Sequence, residues 1–450
     1  MKKLGLLLRI YLKALILVLC ISGAETTGAQ ERQDVETKSV TLDEVIQLAA
    51  VNNLEIKMAE KDIAIASENI LNAKMARAPY LGAGVYYNYV GNPVLYRDFY
   101  SNDTTVDYYD HQAGWNISAS IPIYTGGAIK AQIEQEEVVS QITNEMLNMT
   151  KSQIKLFVIN QFYNLYQLYR RVEIIEENIK NVKVNIKQLT SKVKNGQNIL
   201  SDLTRTELQL SNFEIDVFKT RNNIDLQSNL LCIYTGIPTS TRLLPKDVMV
   251  LIPVDTLVYK TCLDEAYSNR YEIKQAELQK DYSSLSLKKT RTNFYPNIVG
   301  HAGYNSDFPV PGTFPPQTDI LSLWAVGVGV KYDISSLYNL NHRIGADKLQ
   351  IEKEDINIEN VKNAIDQELK TAYVNFIESK KNIVSYRKNV ELATLNYKIV
   401  KSKYDNEFAL IIDMIDAELQ LNDAKLSLNN AIIDAISQYY NLLYAMGKLN

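Results

Sequence analysis

Few residues of this chain are equipped for covalent or metal chemistry. His111, His301 and His342 lie far apart, and none stands beside a nucleophile or a second ligating side chain. Cys20, Cys232 and Cys262 show no metal-ligand spacing. No glycine-rich loop that could cradle a phosphate occurs, so the chain has no nucleotide engine of its own. Neither an enzyme nor a resident cofactor or metal is expected. The most pointed charges are Asp413 and Asp416, three residues apart and so on one face of a helix. Two readings stay open. Near a helix start, such acids satisfy free amides and the helix dipole; alternatively, they present paired charge to whatever lies along that face.

The elements that position these residues follow from composition and pattern. The 450 residues are 46% hydrophobic and 22% charged, with a formal net charge of −4, too apolar and too balanced for a disordered chain. An acidic pI near 5.7 excludes the basic stripe of a nucleic-acid binder. Only 18 glycines and 11 prolines punctuate the sequence, which predicts long uninterrupted elements.

Lys2, Lys3, Arg9 and Lys13 precede an apolar stretch from Ala14 to Ile21, and Ala24 and Ala29 follow as cleavage positions. This is the order of a secretory signal, predicted over 1–29, and its apolar core is too short to span a bilayer. Cys20 lacks the small preceding residue of a lipid-attachment site, because Val18-Leu19 stands before it. Removing 1–29 leaves 44 basic and 51 acidic residues, a net of −7. Cys232 and Cys262 fall on predicted helices as buried thiols. No later stretch reaches the roughly 18 apolar residues of a membrane helix, so any span of a membrane must use strands.

The chain is written twice. Asn52–Lys57 returns at Asn269–Lys274, with Glu55 and Glu272 217 apart, as are Pro79 and Pro296. Trp115 matches Trp324, and Glu207–Leu210 returns as Glu418–Leu421 at a spacing of 211. The first repeat is placed at 30–236 and the second at 256–450, joined by a linker over 237–255 that is rich in proline. Each repeat alternates two periods. Residues 41–77 read as helix, opened by a capping box of Thr41 and Glu44. Residues 81–90 and 114–124 switch to period two, as do 298–304 and 323–332, defining strand hairpins at 81–124 and 297–333. One face is apolar (Trp115, Ile117, Ala119, Ile121; Trp324, Val326, Val328, Val330), and the other small or polar, as in a membrane barrel. A soluble half-buried hairpin is the ordinary alternative. Tyr96, Tyr100, Tyr108 and Tyr109 in loop 91–112 suit the outer surface and an interfacial girdle.

The remaining segments, 126–234 and 335–446, are helical hairpins. Ile154, Val158, Leu165, Leu168, Val172, Ile175, Ile179, Val182, Ile186, Leu189 and Val193 keep a seven-residue repeat, and the same register holds from Ile365 to Tyr404. Asn195-Gly196 and Asp405-Asn406 mark the turns. The first limb, Ala128 to Lys194, would span about 100 Å, longer than any compact domain. Four strands per chain cannot close a membrane barrel, so the barrel must be shared between copies; three copies would give twelve strands.

The signal segment, the repeated helix–strand–strand–hairpin unit, "SIPIYTGGAIKAQI" (120–133) and "YDNEFALIIDMIDAELQL" (404–421) together resemble the TolC-type outer membrane efflux protein family. The resemblance covers almost the whole mature chain. It implies a mainly α fold with β: coiled-coil hairpins forming an α-barrel across the periplasm, below a twelve-stranded β-barrel of a homotrimer in the bacterial outer membrane. It further implies contact with outer membrane lipid, a periplasmic adaptor (membrane fusion) protein, and an inner-membrane transporter of RND or ABC type. In such ducts Asp413 and Asp416 would face the lumen at the periplasmic constriction as carboxylate rings that favour cations. Closed-state links between the hairpin turns map to Tyr404, Ser201 and Asp202, while Ala409 replaces a customary arginine and Glu407 a customary glycine. Adaptor docking maps to Gly196, Gln197, Asn198, Glu407, Phe408 and Ala409. Phe408 reads either as an anchor or as packing between neighbouring hairpins. A periplasmic coiled-coil scaffold or adaptor without a pore accounts for the heptads but not for the strand hairpins. A general porin fits neither the few strands nor the long helices.

Overall fold

The computed structural model describes residues 36–92, 94–97, 102–105, 109–246, 258–312 and 317–449. The expected signal segment with Cys20, loop residues Tyr100 and Tyr108, and positions 247–255 of the expected linker lie outside them. In chain order the elements are β1 (Thr37–Val40), α1 (Leu42–Asn52), α2 (Leu54–Met75), β2 (Tyr80–Tyr89), β3 (Val94–Arg97), β4 (Asn102–Thr105), β5 (His111–Tyr124), α3 (Ala128–Lys194) and α4 (Leu200–Thr235). There follow β6 (Arg242–Pro245), α5 (Tyr259–Asn269), α6 (Tyr271–Thr292), β7 (Asn297–Phe308), β8 (Leu321–Lys331), α7 (Ser336–Asp405) and α8 (Ile411–Ala445).

The first helical stretch is two helices rather than one. Thr41 caps α1 by accepting the Glu44 N–H, but Asn53 then turns extended and ends the helix. Its Oδ1 accepts the N–H groups of Glu55 and Ile56 at 2.9 and 3.3 Å and so starts α2. Arg270 makes the matching break between α5 and α6. Its buried guanidinium binds Glu272 at 2.8 Å and Glu368 at 2.7 Å.

The membrane-type strands form one antiparallel sheet in the order β2–β5–β7–β8. Register places Leu81, Val85, Trp115, Ile117, Tyr304, Trp324, Val326, Val328 and Val330 on one face, all exposed. The opposite face carries Asn116, Ser118, Ser120, His301, Asn305 and Asp307, with Leu321 and Leu323 interrupting it near the loop end. Trp115 and Tyr304 stack on the apolar face with ring centres 5.1 Å apart. On the polar face the Tyr86 hydroxyl donates to Asp307 at 2.8 Å, passing over Gly114, where a Cβ would lie 2.6 Å from both side chains. Neither edge strand, β2 or β8, has an outer partner among the described residues. Within loop 91–112, β3 and β4 pair antiparallel.

The expected linker 237–255 contains an ordered element. Its first part forms β6, which pairs in parallel with β1. Leu243 is buried there and its N–H donates to Ser228 Oγ at 2.7 Å, so a side-chain anchor and a ladder hold this stretch against α4. Pro245 is tolerated because it ends the strand.

Helices α3 and α7 run 67 and 70 residues without interruption, about 100 Å each. They pack side by side in the order α4–α3–α8–α7. The heptad positions form the seam: Ile154, Val158, Leu165, Val172, Ile175, Val182 and Leu189 are buried on α3, and Ile365, Leu369, Phe376 and Ile383 on α7. The outer helices leave apolar stripes uncovered in the protomer, Leu208, Ile215, Phe218, Leu226 and Ile233 on α4 and Leu349, Ile356, Val384 and Leu392 on α7. Cys232 and Cys262 are buried free thiols. Among the described residues no helix is long and apolar enough to cross a membrane, and no cluster of three His, Cys, Asp or Glu is placed to hold a metal ion.

Candidate functional site

The two hairpin turns are built alike. After α3, Gln197 N–H bonds Lys192 C=O at 2.9 Å and Gly196 N–H bonds Val193 C=O at 3.0 Å. After α7, Phe408 N–H bonds Lys403 C=O at 2.8 Å and Glu407 N–H bonds Tyr404 C=O at 3.0 Å. Both are the paired closure that ends a helix through one left-handed residue. That residue is Gly196 at φ 72° in the first turn and Glu407 at φ 66° in the second.

Asp413 sits at the third position of α8, and its Oδ2 accepts the Leu410 N–H at 3.1 Å. The helix-start role weighed for this acid is therefore present, while the side chain stays exposed. Asp416 is exposed one turn on, on the same flank of α8.

Tyr404 is where the two hairpins meet. Burial raises its phenol above the ordinary value, the charges of Asp202 and Asp405 add to this, and a hydrogen bond from Asn198 opposes it. Asn198 Nδ2 also reaches Asp202 Oδ2 at 3.4 Å. Lys192 Nζ lies 5.1 Å from the centre of the Tyr404 ring, a cation–π distance. Of the expected linkage residues, Tyr404 and Asp202 come together, and Ser201 stays exposed on the first turn of α4. Pattern reading missed Lys192. A basic residue in the last turn of α3 was the available signal, but its use by the other hairpin is a tertiary fact.

The turns expose apolar side chains. Phe408 is 83% exposed, and Leu410 beside it in the chain and Ile199 and Leu200 of the first turn are exposed too. Gly196, Gln197 and Glu407 are exposed beside them, Asn198 and Ala409 partly so.

One further residue escaped the sequence reading. Glu418 on α8 is 4% exposed and neither carboxylate oxygen has a hydrogen-bond partner. It shares a buried stripe with Met414 and Asn422, one turn to either side, and Asn422 accepts from Asn178 of α3. Its repeat counterpart, Glu207, is exposed.

The profile of the family described as outer membrane efflux protein matches residues 45–236. Outer membrane protein TolC of Salmonella enteritidis is 22% identical, over 97% of this chain and 86% of its own. Among solved structures, the outer membrane protein VceC of Vibrio cholerae superposes with a TM-score of 0.72 at 16% identity, covering 90% of this chain and 96% of that one. The open state of the Neisseria gonorrhoeae MtrE outer membrane channel gives 0.70 at 15% identity, with 91% and 89% covered. A sheet with one apolar face above helical hairpins of this length defines an outer membrane channel. Residues 45–236 match the outer membrane efflux protein family, and over nearly its whole length the chain is similar to channels of the TolC type.

Proposed function

We propose that this chain is the exit duct of a tripartite efflux pump or type I secretion system, passing small molecules across the periplasm and outer membrane. The observation that carries the reading is the four-stranded sheet, apolar on one face, polar on the other and, among the described residues, unpaired at both edges. Such a sheet is stable in lipid only when other copies close it. Three copies give a twelve-stranded barrel, and the exposed stripes on α4 and α7 then meet between protomers to close the helical tube beneath it. The two halves act as repeats of one unit. Helices of 11 and 22 residues open each half, and Gly196 and Glu407 end the long limbs alike. Residues 30–236 and 256–450 are the structural repeats, with 1–29 removed on export.

Asp413 and Asp416 line the narrow periplasmic end as carboxylate rings, and Tyr404, Asp202 and Ser201 belong to the contacts that hold the turns together. The exposed turns around Gly196–Asn198 and Glu407–Ala409 dock a periplasmic adaptor, with Phe408 as its apolar anchor. An inner-membrane transporter of RND or ABC type supplies the energy. Reconstitution in planar bilayers tests the duct: stable conductance with a trimeric, heat-modifiable species is expected. A monomer that washes from membranes with salt would instead identify a periplasmic scaffold.

A further inference from the structure

The buried side of α8 near the turns contains a carboxylic acid. Ile411, Met414 and Ile415 pack with Val400 and Tyr404 of α7, and Glu418 follows one turn later on the same buried stripe. A buried carboxylate with no donor is costly when ionised and tolerable when protonated. From α7, Lys401 acts on it, and burial together with the charge of Glu418 raises the Tyr397 phenol, while the Lys401 ammonium lies 5.8 Å from the centre of the Tyr397 ring on its own helix. From α3, the charge facing α8 is Glu177, engaged by Lys425, and the side chain reaching the stripe is the neutral Asn178. Among the described residues no cation forms an ion pair with Glu418.

The geometry points to Glu418 as a proton-operated lock on the turn end of the molecule: neutral, it keeps α8 packed on α7; ionised, it drives the helices apart until it reaches water. Burial pushes its carboxyl from the ordinary 4.5 up to about 7, with Lys401 opposing. An acid raised in the packed state leaves packing at full strength below about pH 4.5. Packing then weakens as pH rises towards about 7, and the penalty is constant above that. The packed arrangement is thus the acidic one, and the periplasmic end loosens towards neutral pH. The consequence for conduction rests on the duct reading; the movement itself does not.

Nitroxide labels at the exposed positions Lys398 and Gln420, on α7 and α8, read the movement in the purified full-length chain. In the native protein the distance distribution should widen as pH rises from about 4.5 towards about 7 and change no further above that. Glu418→Gln, which mimics the neutral acid, should keep the acidic distribution throughout and abolish the corresponding step in bilayer conductance. Distances independent of pH in the native protein, or equal widening in E418Q, overturn the lock. A native protein that never conducts but still widens through Glu418 removes the duct reading and leaves the lock standing.

Discussion

Glu407 occupies the same left-handed backbone conformation as Gly196, φ 66° against 72°, in two turns closed by the same pair of hydrogen bonds. Only glycine adopts it freely, because a Cβ crowds the following carbonyl by roughly 1–2 kcal/mol. Glu407→Gly should therefore stabilise the second hairpin by about 1 kcal/mol, and Gly196→Ala should weaken the first by a similar amount. A Cβ at Gly196 meets nothing within 4 Å, so the effect is one of backbone conformation alone. Denaturant midpoints of the two variants check the signs.

On the proposed placement of Asp413 and Asp416 in the lumen, replacing both with alanine should lower cation selectivity in planar bilayers. Unchanged reversal potentials would remove both from the constriction. Asp413→Ala alone should also cost about 1 kcal/mol, since it deletes the bond to the Leu410 N–H. Asp416→Ala should leave thermal stability nearly unaltered, which separates the charge effect from the cap.

The apolar face of the sheet makes a directional prediction. Val326→Lys should impair membrane assembly by roughly 2–4 kcal/mol, whereas Ser118→Lys on the opposite face should be tolerated. Heat-modifiable migration of outer membrane fractions distinguishes them.

Phe218 is 67% exposed on the edge helix α4, in the stripe that no partner covers within the protomer. Phe218→Glu should abolish the proposed trimer on cross-linking while the helical content of the single chain is retained. Trimers formed at native yield would place the protomer contact elsewhere.

Arg270 closes the break between α5 and α6 through Glu272 and Glu368. Arg270→Met removes a buried cation whose partners can still reach water, so a loss of about 2 kcal/mol is expected, less than for a fully buried pair. A denaturation midpoint equal to the native one would show the break is held by main-chain geometry instead.

Much of the molecule was legible beforehand because period and punctuation are local. The limb expected from about Ala128 to Lys194 coincides with α3, since a seven-residue repeat and an Asn-Gly turn define both its face and its end. The alternation at Trp115 and Trp324 placed those side chains on one face because successive strand residues point oppositely. Asn53 and Arg270 were hidden inside helical patterns, because their breaks are fixed by a cap and an ion-pair cluster rather than by apolar spacing. Linker residues 242–245 became a strand only because β1 offered them a free edge. The acidic pair at 413 and 416 could be read, but that Asp413 caps its own helix depended on where α8 begins. Glu418 makes the division plainest. It and Glu207 stand in matching words of the two repeats, yet one is buried and the other exposed. Sequence sets which face of a helix is apolar. How many neighbours that helix has is decided in three dimensions, and α8, lodged between α7 and α3, has a second face to bury where edge helix α4 does not.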